Sequence, residues 1–175
     1  MRIIAGLGNP GPDYRMTRHN AGVMLVEKLA EGLASDYGWR AEKEALVFKN
    51  SDYILVKPRD KFMNQSGEWV KWVLGYVSGG AEIKDLWVAH DDLDIKLGEY
   101  KIQFGVGPKD HGGINSTEAV LGNKEFWRVR IGVDNRDKEF RLAGEDYVLM
   151  KFSADEKQQL DEVINKAVEE IMQNA

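Results

Sequence analysis

Three histidines, His19, His90 and His111, are the side chains of this 175-residue chain whose ordinary titration range lets them move a proton near neutral pH. Two of them adjoin carboxylates: His90 precedes Asp91-Asp92-Leu93-Asp94, and His111 follows Asp110. His19 stands in Thr17-Arg18-His19-Asn20, downstream of Asn9. A histidine steadied by a carboxylate takes a proton from water, and amides such as Asn9, Asn64 and Asn115 can donate to the oxyanion that the attack creates. The chemistry that suits these residue types is hydrolysis by an activated water. Each also has a plainer reading. Asn9 can serve as a turn former before Pro10, Asp91 as a turn cap, Asn64 as a residue ahead of a helix start, and His19 as an ordinary helix-start histidine. His90 reads as structural, and His111, in a glycine-rich stretch, receives no role.

The bulk composition narrows the field. There is no cysteine, which removes disulfides, thiolate metal sites and cysteine nucleophiles together and suits a reducing, cytoplasmic setting. No stretch reaches the length of a membrane span, and the apolar run after Met1 is too short for a signal-peptide core, so a soluble protein with no membrane partner is expected. The net charge is −5, from 29 acidic and 24 basic side chains. Taken alone this counts against a nucleic-acid partner, although an enzyme that touches one end of an RNA needs only a local basic patch.

The elements that must position these residues follow from pattern. Arg2 to Leu7 reads as a short buried strand stopped by Gly8-Asn9-Pro10-Gly11-Pro12, followed by a helix with Val26, Leu29, Ala30 and Leu33 on one stripe. Ala45 to Phe48 and Tyr53 to Val56 form a hairpin around Asn50-Ser51-Asp52. Ser66 is expected to cap a helix whose Trp69, Val70, Val73, Tyr76 and Val77 share a face. Leu86-Trp87-Val88-Ala89 reads as a central strand, His90 to Leu97 as a loop, and Tyr100 to Phe104 as a strand. A helix is predicted from about Ile114 to Leu121. Val129, Ile131 and Val133 alternate with Arg128, Arg130 and Gly132, giving a strand with one polar face. Ser153 and Glu156 open a last helix as a capping box. Strands alternating with helices imply one α/β domain over residues 1–175, a mixed β-sheet flanked by helices. Ligands bind such sheets beyond the carboxyl ends of the strands, and four loops there are expected to bring amide, imidazole and carboxylate groups to one edge.

Gly6-Leu7-Gly8-Asn9-Pro10-Gly11-Pro12-Asp13-Tyr14 followed by Thr17-Arg18-His19-Asn20-Ala21-Gly22 resembles the opening motif of bacterial peptidyl-tRNA hydrolases. Phe62-Met63-Asn64-Gln65-Ser66-Gly67, Val88-Ala89-His90-Asp91-Asp92-Leu93-Asp94, and Gly112-Gly113-Ile114-Asn115 with Phe126 to Gly132 resemble the later ones, in order, over nearly the whole chain. The resemblance implies an esterase that cuts the bond between a peptide and the tRNA ribose by histidine-activated water. It implies His19 as base, Asp91 as its carboxylate, and Asn9 as the residue that tells blocked from free aminoacyl esters. It also implies that Tyr14, Phe62, Asn64 and Asn115 contact the tRNA end or the peptide. Lys101 and Arg130 correspond to a basic clamp for a phosphate, with a plain solvated face as the alternative. No cofactor and no metal are implied, the partner is peptidyl-tRNA, and a monomer is expected.

The chain departs from the family pattern at Ile114, where histidine is usual, and at Ser116 and Thr117, where glycine and leucine are usual; Gln103 stands at a basic position, and the loop from Gly105 is long. These changes leave open a relative that binds tRNA with little activity, or an esterase for another acylated substrate. A dinucleotide-binding reading rests on Gly6, Gly8 and Gly11 after a strand, but Pro10 and Pro12 postpone the helix that would hold a pyrophosphate, and this reading is rejected.

Overall fold

The computed structural model describes residues 1–35, 37–77, 79, 81–137 and 142–173. Its seven strands are β1 (Arg2–Gly6), β2 (Arg40–Ala41), β3 (Ala45–Lys49), β4 (Tyr53–Pro58), β5 (Leu86–Lys96), β6 (Tyr100–Phe104) and β7 (Trp127–Asp134), in the order β2-β3-β4-β1-β5-β7-β6. β4, β1, β5 and β7 run parallel, while β3 is antiparallel to β4 and β6 to β7. The fold is the expected single α/β domain on a mixed sheet.

Helices cover both faces. α1 (Ala21–Glu31) and α5 (Ala154–Gln173) share one face; α2 (Ser66–Trp72) and α3 (Gly112–Leu121) share the other; and the short α4 (Gly144–Val148) lies beyond the sheet's carboxyl rim. The inner strands are apolar along their length because both faces are covered. Ile3, Ile4 and Ala5 of β1 alternate between the two cores and are fully buried. α5 needs only one stripe, and Leu160, Val163, Ile164, Ala167 and Ile171 provide it. Ser153 and Glu156 close the expected capping box, each backbone amide reaching the other's side chain.

Four expectations change. β5 does not end at Ala89 but continues to Lys96, because β7 still pairs with it where β1 has stopped. Ser66 does not cap α2; it is the first helical residue, and its hydroxyl donates to the Met63 carbonyl at 2.7 Å. Trp69, Val70 and Val73 are buried as expected but Tyr76 is 81% exposed, since Val73–Val77 winds as a π-helix and its wider turn displaces the stripe. The side chain of Val77 lies outside the described residues. α3 begins at Gly112 with His111 as its cap, two residues before the expected start.

Candidate active site

The carboxyl end of β1 is the place where the chain's connections diverge. β1 leads through α1 on one face to the β2–β3–β4 side; β4 leads through α2 on the opposite face back to β5. Such a switch point opens a crevice at the sheet rim. Two glycines let α1 lie close against it. A Cβ on Gly22 would sit 2.1 Å from the Ala89 carbonyl oxygen, and one on Gly6 would sit 2.4 Å from that of Gly22. The Gly6-x-Gly8 spacing therefore serves helix-to-strand contact.

Pairing between β1 and β5 ends at Gly6 with Ala89, the Leu7 amide adding a bond to the Ala89 carbonyl. Asp91, two residues further along β5, thus has no strand on its β1 side and can be reached from both faces of the sheet. His19 arrives from the α1 face and His111 from the start of α3. Both ring nitrogens meet the same oxygen: His19 Nδ1 lies 2.9 Å and His111 Nε2 2.8 Å from Asp91 Oδ1.

The hydrogen bonds assign the tautomers. A carboxylate accepts, so His19 carries its proton on Nδ1, which leaves Nε2 unprotonated at the cleft with no hydrogen-bond partner among the described residues. His111 Nδ1 accepts from the amides of Gly113 and Ile114, both at 3.2 Å, so its proton is on Nε2 and points at Asp91. His90 donates from Nδ1 to the Asp91 carbonyl at 2.7 Å, and its Nε2 is buried without a partner. Burial, followed by the nearness of His111, pushes the His90 ring down to about 3, so it is neutral at working pH.

The Asp91 side chain is 1% exposed and that of His19 15%. Burial alone would push the Asp91 carboxyl up, but His111 and His19 together hold it well below the usual carboxylate range. For His19 burial acts downward and is the largest single influence. The charge of Asp91 and the hydrogen bond to it outweigh burial, and the imidazole titrates above its ordinary value.

Asn9 is held with its donor outward. Its Oδ1 accepts from the Met63 amide at 2.8 Å, which leaves Nδ2 facing the cleft, and its backbone exchanges two 2.9 Å bonds with the side chain of Asn20. Phe62, 46% exposed, meets Tyr14 edge-on at 5.8 Å, and Asn64 is exposed beside them. Asn115 is exposed, with Nδ2 donating to Asp110 at 2.7 Å. A cleft of about 770 Å³ joins Asn9, His19, Phe62, Asn64 and Asp91 to Asp110, Glu145 and the apolar wall of Leu93, Val148 and Leu149. Tyr14 and Asn115 do not line it directly. A larger cleft of about 960 Å³ opens at the opposite rim between Arg2, Trp87 and Trp127, but no histidine lines it, so chemistry rather than volume chooses the site.

Arg130 requires correction. Its side chain is 9% exposed, with Nε on Asp92 at 2.7 Å and a terminal nitrogen on Gln103 at 2.8 Å. It is a buried ion pair and not a free phosphate contact. Arg128 is buried as well, pairing with Glu118 of α3, so this face of β7 is covered and not solvated. Lys101, opposite Arg130 in the register, is exposed and has no charged partner among the described residues. The expectation that all four loops leave carboxyl strand ends on one edge also needs adjustment. β6 is antiparallel, its end at Phe104 lies at the far rim, and the stretch from Gly105 runs back along the sheet to His111.

The role of His111 went unread in the sequence, as did that of Arg18. Arg18 is buried behind His19, with both oxygens of Glu156 at 2.6 Å and the carbonyls of Met150 and Lys151 within 3.2 Å. Its aromatic neighbours Tyr147 and Phe152 join it only in the fold, so the sequence carries no local signal for this role. His19, Asp91 and His111 also present metal-ligating atoms within 4.8 Å of one another, a set not foreseen from the sequence. The nitrogens facing Asp91 sit at hydrogen-bond spacing, so an ion there would have to displace both protons. The residues that depart from the family pattern are engaged in packing: Ile114 is 1% exposed, Ser116 accepts from the Gly67 amide at 3.0 Å, and Thr117 bonds the Gly113 carbonyl.

A family model described as peptidyl-tRNA hydrolase matches residues 3–174. The peptidyl-tRNA hydrolase of Campylobacter concisus is 40% identical over 164 residues, covering 94% of this chain and 84% of that protein. That of Bordetella petrii is 37% identical over 172 residues, covering 95% and 80%. Among solved structures, the peptidyl-tRNA hydrolase of Acinetobacter baumannii superimposes with a TM-score of 0.80 at 29% identity, covering 98% of this chain and 87% of that one.

Proposed function

This chain belongs to the peptidyl-tRNA hydrolase family, and on that premise we propose that it cleaves the ester between a peptide and the terminal ribose of tRNA. The observation that carries the reading is His19 Nδ1 fixed on Asp91 at 2.9 Å with Nε2 left open to the cleft. Nε2 takes a proton from water as the water attacks the ester carbonyl. Asp91 stabilises the imidazolium, and the proton then passes to the departing ribose oxygen. The products are the free peptide acid and tRNA with its hydroxyl restored. The outward Nδ2 of Asn9 is placed to donate to the substrate, Asn64 adds a second amide, and the Tyr14–Phe62 pair offers an aromatic face to a base or side chain.

The altered residues 114, 116 and 117 serve the packing of α3 against α2 and leave the cleft groups in place, which supports turnover over a binding-only role. Lys101 is the free cation proposed for a phosphate of the tRNA. The chain is taken to act as a cytoplasmic monomer, where translation supplies the substrate.

The test compares N-acetyl-aminoacyl-tRNA with its unblocked counterpart. Native protein is expected to hydrolyse the blocked ester selectively, free tRNA to compete, and His19→Ala to lose about a thousandfold in kcat while keeping the native fold. Native protein that binds tRNA without turnover, or His19→Ala with native rates, sinks the proposal.

A further inference from the structure

We propose that His111 is a positioning residue for this hydrolysis: a neutral imidazole that holds the Asp91 carboxylate toward His19 and ties it to the start of α3. The inference rests on the functional reading above, but its geometry stands independently.

The ring is 5% exposed on its side chain and engaged at both nitrogens. Nδ1 accepts from the first amides of α3, and Nε2 donates to the very oxygen that His19 uses. Two donors of different rings on one oxygen fix the carboxylate's rotation far better than one. The two rings are not equivalent. The Nδ1 lone pair of His111 is occupied by two amides, whereas the Nε2 lone pair of His19 faces the cleft. One ring therefore shuttles the proton and the other holds the acceptor.

Capping alone does not account for histidine here, because asparagine caps a helix better and is smaller. What histidine adds is a second nitrogen on the far side of the ring, in reach of Asp91. The same residue thus links the carboxylate to Gly112 on the cleft wall and to Asn115 one turn into α3. Gly113 allows the approach, since a Cβ there would lie 2.5 Å from Met63 Sδ and 3.3 Å from His111 Cε1.

The effect on His19 has a sign. The His111 N–H draws part of the Asp91 charge to itself, so its loss leaves more charge for His19 and moves the base's titration upward. Other charged or titratable groups around the cluster are His90 on β5, the Asp92–Arg130 pair between β5 and β7, and Asp110 and Glu145 on the cleft walls. None of these is joined to the His19 ring by a hydrogen bond or ion pair.

His111→Asn separates the two jobs, because asparagine keeps the cap and cannot reach Asp91. In this variant the protein is expected to fold, with a melting temperature modestly lowered by the bond lost from the buried Asp91. The His19 midpoint, followed by NMR on the labelled protein, should rise by about half a unit or more. The acid limb of kcat/KM for N-acetyl-aminoacyl-tRNA should move with it, and kcat should fall about tenfold with KM little changed. An unchanged His19 midpoint and an unchanged pH profile overturn the proposal. The nitrogen shifts of His111 in the native protein supply a test that needs no variant: a proton on Nε2 is expected, and a proton on Nδ1 overturns it. Native protein that fails to turn over peptidyl-tRNA would sink the functional reading alone, since both NMR measurements remain decisive for His111.

Discussion

Replacing Asp91 by Asn keeps the shape of the side chain and removes its charge, so it isolates the electrostatic part of the site. The Asp91 oxygen is 2.9 Å from His19 Nδ1, which puts the carboxylate and imidazolium charge centres roughly 4 Å apart. At an effective dielectric of about 20, such a pair attracts by about 4 kcal/mol. The attraction exists only while His19 holds the extra proton, which is the state formed as water is deprotonated. Removing it raises the barrier by up to that amount, or roughly a hundred- to a thousandfold in kcat. The pH profile should move as well. In the native protein Asp91 lifts the His19 midpoint against burial; without the charge, burial is unopposed, and the midpoint should fall below its ordinary value. The acid limb of kcat/KM for N-acetyl-aminoacyl-tRNA therefore shifts to lower pH even as the plateau collapses.

Stability should respond too. A carboxyl held below its unfolded range stabilises the fold above about pH 4 and loses that contribution as pH falls, so Asp91→Asn should show a flatter acid limb in denaturant titrations. The rate assay, run from pH 5 to 9 beside a melting curve at each pH, reads both effects. A variant that keeps kcat within about threefold of native, or whose acid limb stays in place, refutes the reasoning, because 4 kcal/mol predicts far more.

Asn9→Asp retains the acceptor for the Met63 amide and replaces the outward donor with an acceptor. It should lose about tenfold or more in kcat/KM for the blocked ester at native stability, and an unaltered rate would remove Asn9 from substrate contact. Gly22→Ala places a Cβ 2.1 Å from the Ala89 carbonyl oxygen and should destabilise the fold by about 2 kcal/mol or more. Because α1 must move and His19 directly precedes its first turn, activity should fall further than the folded fraction; a native melting curve with native rates would show that the contact is not required.

Much of this molecule is readable in one dimension because its signals are local. The apolar runs of β1 and β5, the stripe of α5 and the Ser153–Glu156 box depend on residues a few positions apart, and all appear in the structure. The motifs around His19, Asp91 and Asn9 were legible for the same reason, although what each residue does depends on neighbours far along the chain. The sequence understates β5 because a strand that keeps one partner after losing the other turns polar: its residues past Ala89 serve a rim. The sequence leaves Arg128 and Arg130 as a polar face, either a phosphate clamp with Lys101 or plain solvated surface, because alternation on β7 shows which residues share a side and not what covers it. Glu118 from α3 and Asp92 from β5 turn that side into buried ion pairs.

His111 is the sharpest case. Its type was visible, but its function requires an oxygen twenty residues upstream and two amides of the helix it starts, and the choice of tautomer follows from the amides alone. Residue types and short spacings thus determined the elements, the sheet class and the candidate base. Only the packed structure decided that β1 stops two residues short of Asp91. That gap lets two imidazoles from opposite faces of the sheet share one carboxylate oxygen.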